Sequence, residues 1–81
     1  NEEFLFKRIV VYPNPVLNVV TISNSEPISE IQLLDMMGRV LQVRKSDGLE
    51  EKIEMSHLPA APYLIKVKIN GQIKTFKIIK K

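Results

Sequence analysis

The residues that could do chemistry are few, and their spacing does not suit catalysis. His57 is the single histidine and directly follows Ser56. A nucleophilic serine needs a base, an orienting acid and an oxyanion site converging on one point. Adjacent side chains in a loop diverge, so Ser56 and His57 read as loop residues. Glu2-Glu3 and Glu50-Glu51 are paired acids on strand-like sequence, where neighbours face opposite sides. That arrangement does not present a general acid and base to one substrate. Asp35 and Asp47 fall at turns, where aspartate bonds its own backbone. No segment carries the clustered oxygen ligands of a calcium loop. With three glycines in the chain there is no phosphate-cradling loop. The absence of cysteine excludes thiol catalysis, disulfides and cysteine-based metal sites. The reading is a non-enzyme, with no catalytic residue, cofactor or metal ligand.

Charge is the more informative signal. The chain of 81 residues has a net charge of +3. It is unevenly spread: residues 1–54 carry six basic residues against nine acids, whereas residues 55–81 carry six lysines and no acid. These are Lys66, Lys68, Lys74, Lys77, Lys80 and Lys81. Such a block can meet an acidic partner, or simply solvate an edge hairpin and discourage aggregation. Nucleic acid binding would pair basic grooves with aromatic platforms. The aromatics are Phe4, Phe6, Tyr12, Tyr63 and Phe76, and the last two fall on an apolar strand face. No nucleic acid partner is expected. A carbohydrate-binding module would want exposed aromatics; there is no tryptophan, and Tyr12 is the one candidate.

The elements that must position these residues are strands. β-branched residues dominate the apolar set and alternate with polar ones. Strands are expected over 4–11, 17–23, 29–35, 39–45, 49–55, 62–69 and 72–79. Pro13-Asn14-Pro15 ends the first, because two prolines remove two ladder donors. Residues 24–27 form a loop. Asp35-Met36-Met37-Gly38 and Ser46-Asp47-Gly48 are turns, and residues 56–61 form a loop. Leu58-Pro59-Ala60-Ala61-Pro62 begins like a sortase recognition motif but lacks its Thr-Gly, and reads as part of that loop. Seven short strands with regular turns predict an all-β, small, seven-stranded antiparallel immunoglobulin-like β-sandwich. A single domain over 1–81 is expected.

Asn70-Gly71 is the strongest hairpin signal, favouring a type I′ turn. A two-residue loop there pairs Ile69 with Gln72, Ile65 with Phe76 and Tyr63 with Ile78. With Val67 these form one apolar face. The other face carries Lys66 opposite Thr75, Leu64 opposite Lys77 and Lys68 opposite Ile73. A slip of one residue would reverse this sorting, so the register is well specified.

No apolar run approaches the ~20 residues of a membrane span. Asn1-Glu2-Glu3 followed by strand-like sequence is not a signal peptide. The chain is expected to be a bare domain, a small mature protein or a piece of a longer one.

Three stretches together resemble a known family. One is Val11-Tyr12-Pro13-Asn14-Pro15, followed by Val19-Val20-Thr21-Ile22. The second is Ile31-Gln32-Leu33-Leu34-Asp35-Met36-Met37-Gly38-Arg39-Val40. The third runs from Ile53-Glu54-Met55-Ser56-His57-Leu58-Pro59 through Tyr63-Leu64-Ile65-Lys66-Val67 to Lys77-Ile78-Ile79-Lys80-Lys81. Over residues 11–81 the chain resembles the type A C-terminal sorting domain of the Bacteroidetes type IX (Por) secretion system. The family positions are Tyr12, Pro13, Asn14, Pro15, Asp35, Gly38, Leu58 and Tyr63. Pro13 and Pro15 stiffen the approach to the domain, Gly38 permits a tight turn, and Tyr63 anchors the core. The family usually has glycine two residues before that tyrosine; here Ala61-Pro62 stands instead, so a turn there must form with negative φ at Pro62.

The resemblance implies an address label. Such domains sit at the C-terminus of secreted cargo, which reaches the periplasm by its own N-terminal signal peptide. The outer-membrane type IX machinery recognises the folded domain, and a sortase-like peptidase commonly removes it. The cargo then resides at the cell surface or outside the cell. Partners would be that machinery, its peptidase and an N-terminal cargo domain. The six lysines of the last hairpin and its end are the candidate recognition residues. The alternative is an immunoglobulin-like structural, adhesion or binding module of a secreted protein.

Overall fold

The computed structural model describes residues 8–81. Seven strands form: β1 Val10–Tyr12, β2 Val19–Ser23, β3 Glu30–Leu34, β4 Val40–Lys45, β5 Glu50–Glu54, β6 Ala61–Ile69 and β7 Gln72–Lys80. They make two antiparallel sheets, ordered β1-β2-β5 and β4-β3-β6-β7. The fold is therefore the seven-stranded β-sandwich expected from the sequence. The fourth strand pairs with the third in the larger sheet; in the constant-type immunoglobulin arrangement it joins the other sheet.

Alternation builds the core. Val20 and Ile22 of β2 and Ile53 of β5 face Ile31 and Leu33 of β3 and Tyr63, Ile65, Val67 and Ile78 of the last hairpin. Each such aliphatic side chain contributes about 1.5–3 kcal/mol when taken from water. Val16, Ile28 and Met55 complete the core from outside the strands, each fully buried. The hairpin register is the expected one along its whole length, from Ile69↔Gln72 to Ala61↔Lys80. Asn70 and Gly71 both have positive φ, as a type I′ turn requires.

β4 is only partly covered, because the facing sheet has one strand fewer. Its Val40, Leu41 and Val43 stay exposed. The ladder shifts between Leu33 and Leu34, leaving Leu41 as the extra residue of a bulge.

Every strand differs from its expected range at one end or both, most of them by a single residue. Of the strand expected over 4–11, residues 4–7 lie outside the described residues; the described strand is Val10–Tyr12. β2 begins at Val19, not at residue 17, because Val16 turns away to pair with β7. The strand after the 56–60 loop begins at Ala61. Pro62 consequently lies within β6 and makes no turn. Its partner Ile79 directs its own N–H and C=O away from β6. Pro62 therefore occupies a non-hydrogen-bonded pair, with its missing donor on the β3 side. Pairing with β3 stops at Leu64, so no ladder bond is lost.

Candidate functional site

The family positions gather at one pole of the sandwich. The loop after β1, the β3–β4 turn, the β5–β6 corner and the end of β7 all lie there, by the strand directions and registers. Each position has a physical task. Asp35 organises the β3–β4 turn: its Oδ1 accepts from the N–H groups of Met37 at 2.9 Å and Arg39 at 3.0 Å. Its Oδ2 accepts from Arg39 Nε at 2.7 Å. The Arg39 backbone bond first, then the Arg39 side chain, Met37 and the guanidinium charge, hold the Asp35 carboxyl below its usual range. Gly38 closes the turn at φ +89, a conformation that disfavours a side chain.

Tyr63, the third residue of β6, is buried. Its hydroxyl donates to the Pro59 carbonyl at 2.8 Å. A tyrosine at the start of the sixth strand, bonded back to the preceding corner, is the tyrosine corner of immunoglobulin-like sandwiches. Leu58 packs half-buried against the same core, and its N–H donates to the Met55 carbonyl at 3.0 Å. Ser56 and His57 are exposed on this corner. Ser56 N–H donates to Glu54 Oε1 at 3.1 Å, and bonding to Ser56 holds the Glu54 carboxyl below its usual range.

Tyr12-Pro13-Asn14-Pro15 contributes a clamp. Both X–Pro bonds are cis. Val16 N–H donates to the Ile79 carbonyl at 2.7 Å, and Lys81 N–H donates to the Val16 carbonyl at 2.8 Å. Ile79 N–H donates to Asn14 Oδ1 at 3.0 Å. Val16 and Lys80 thus form a parallel bridge between the start and the end of the fold. Tyr12 itself is exposed.

The six lysines do not form one patch. Lys66, Lys68 and Lys77 share the outer face of the four-stranded sheet, as the register requires. Lys66 and Lys68 line a shallow groove there with Glu30, Gln32 and Ile73. Lys74 lies on the opposite strand face, its Nζ 5.7 Å from the Phe76 ring centroid. Lys80 also points inward and is 8% exposed; its Nζ donates to the Lys81 carbonyl at 2.8 Å. Lys81 is exposed at the pole. The inward aim of Lys80 was available in the alternation through Phe76 and Ile78. Its flexible stem lies among apolar neighbours while its ammonium finds a carbonyl. The clamp at Val16 had no such signal, since Val16 stands between Pro15 and Leu17 outside any alternating run.

Among the described residues, Lys45 bonds Glu30, Arg39 bonds Asp35, Arg44 lies 4.0 Å from Glu51 and Lys52 lies 3.6 Å from Glu50. None of these pairs uses a lysine of β6 or β7. The Lys45 bond chiefly, with Lys68 and Gln32 assisting, holds the Glu30 carboxyl below its usual range. No group of three or more metal-ligating side chains occurs among the described residues. No described helix is long and apolar enough to cross a membrane.

Two sheets, a tyrosine corner and a clamped last strand define an immunoglobulin-like sandwich. Residues 10–81 match the family described as the secretion system C-terminal sorting domain. The chain belongs to that family, the type IX sorting domains its motifs resemble. Among solved structures it is similar to PorZ, a surface component of the type-IX secretion system of Porphyromonas gingivalis, with a TM-score of 0.78 and 20% identity. That match covers 94% of this chain and 12% of the other. At this identity the likeness bears on the fold alone. A search of the curated proteins found no match.

Proposed function

We propose that this domain is a non-catalytic C-terminal secretion signal that carries a larger cargo across the outer membrane through the type IX system. The observation that carries the reading is the family match over residues 10–81, almost the whole described fold. Cargo passes through the periplasm to the cell surface or beyond, and a sortase-like peptidase removes the domain afterwards. The chain is read as a single sorting domain over 1–81. Recognition falls on the last hairpin and its end. Lys66, Lys68 and Lys77 present charge on one sheet face, Lys74 lies beside Phe76, and Lys80 and Lys81 mark the clamped pole. The positions Tyr12, Pro13, Asn14, Pro15, Asp35, Gly38, Leu58 and Tyr63 build the pole that displays this end.

The test is export of a fluorescent reporter fused ahead of residues 1–81 and behind a signal peptide. Reporter outside a type IX-competent strain and trapped in a secretion-deficient sibling is the expected result. Reporter trapped in both, with the domain folded, sinks the reading and favours an ordinary sandwich module. Charge reversal at Lys81 leaves every backbone bond of the clamp available, and is expected to reduce export without unfolding the domain.

A further inference from the structure

Among the described residues, four strands stand at sheet edges, and they differ in how open they are. β1 has three residues. The edge of β5 carries Glu50, Lys52 and Glu54, charges that blunt it. β4 has a bulged ladder, and its cations Arg44 and Lys45 already face Glu51 and Glu30. β7 is the exception: nine residues long and regular in register. Its lysines take part in none of the ion pairs formed among the described residues.

The clamp also tells which backbone groups of β7 are open. Ile79 points its N–H and C=O outward, to Asn14 and Val16. Groups alternate along a strand, so those of Ile73, Thr75 and Lys77 point outward as well. No neighbouring strand lies beyond them among the described residues. Segment 14–16 thus fills the last part of the edge and leaves a slot of defined length beside it. The side chains of Ile73, Thr75 and Lys77 share the outer sheet face with Lys66 and Lys68.

We propose that this slot, the edge of β7 at Ile73, Thr75 and Lys77, accepts an extended acidic polypeptide segment as an added strand. Main-chain bonds to the three outward residues hold the segment. Its acidic side chains, at alternate positions, face Lys77 and reach toward Lys66 and Lys68. Its intervening apolar side chains fall on the opposite strand face, the face of Phe76. The proposal rests on the reading of this domain as a recognised signal, and it supplies the chemistry of the partner.

The probe is a blocked peptide alternating glutamate and valine, with a lysine–valine peptide as control. Backbone amide NMR of the 81-residue chain follows the titration. The amide signals of Ile73, Thr75 and Lys77 are expected to move and to gain exchange protection, and added salt is expected to weaken binding. Thr75→Pro removes one outward donor at an edge position where proline is tolerated. Together with disturbance of its neighbours' bonds it is expected to weaken binding about ten-fold. The double variant Lys68→Glu, Lys77→Glu leaves the backbone untouched and is expected to lose the acidic peptide, which keeps the test decisive should the proline variant unfold. Shifts confined to β4, no shifts, equal binding of the lysine–valine peptide, or undiminished binding by the folded variants would each overturn the proposal. Reporter export separates this from the sorting reading. A domain that exports its reporter yet takes no peptide sinks the slot alone. One that takes the peptide yet exports nothing sinks the sorting reading alone.

Discussion

Replacing Tyr63 by phenylalanine removes one oxygen and keeps the buried ring. The hydroxyl donates to the Pro59 carbonyl at 2.8 Å, and that bond ties the β5–β6 corner to the start of β6. A net hydrogen bond of this kind is worth about 1 kcal/mol. Pro59 is exposed, so water can reach its carbonyl, and the cost stays near that value. For a domain of this size, 1 kcal/mol lowers Tm by roughly 4–8 °C. Urea unfolding followed by circular dichroism measures the change; the midpoint should fall with the slope unchanged, because the surface exposed on unfolding is the same. The amide of Leu58, inside the tethered corner, should exchange faster than in the parent. Tyr63→Ala, which also removes the ring, should cost about 3–5 kcal/mol. A Tyr63→Phe domain within ~0.3 kcal/mol of the parent, against net bonds of about 0.5–1.5, would refute the assignment of a structural task to the hydroxyl.

Asn14→Ala removes the acceptor of the Ile79 N–H while leaving both Val16 bonds. It should destabilise by about 0.5–1 kcal/mol and raise exchange at Ile79 and Lys81 more than at the core amides of β6; equal change everywhere would mean the clamp does not open locally. The pH dependence follows from Glu30, Asp35 and Glu54, all held below their usual range in the folded state. Groups with lowered folded values stabilise above their unfolded values, near ~4, and lose that stabilisation as pH falls through the folded ones. Urea midpoints should therefore be flat down to about pH 5 and fall below it, and Asp35→Asn should flatten the fall; an unchanged slope in that variant would contradict the role given to Asp35.

The register of the last hairpin was legible in the sequence. Asn70-Gly71 fixed the turn, and alternation over 61–80 admits only one register that buries Tyr63, Ile65, Val67 and Ile78 together. The turn at Gly38 was legible for a similar reason, since aspartate and glycine carry the turn chemistry themselves. Met55 was legible too, two residues beyond Ile53 in the strand expected over 49–55, whereas Val16 and Ile28 were not. Both of these lie outside a strand, and each is buried by a neighbour distant in sequence, which no local period reports. The lysines show the same limit from the other side. Composition groups all six, whereas register and strand face separate Lys80 and Lys74 from Lys66, Lys68 and Lys77. The motif positions read as three unrelated stretches in sequence. Antiparallel pairing is what gathers them at one pole.

The bond between Asn14 and Ile79 joins residues 65 apart in the chain. Among the described residues, strand β7 has β6 as its only sheet partner, and its far end is held by the backbone of Val16. A chain that stops short of Ile79 leaves Val16 without its two backbone partners and β6 with a bare flank. Loop-closure entropy opposes so distant a contact, so the pole that carries the motif positions is expected to be completed late in folding.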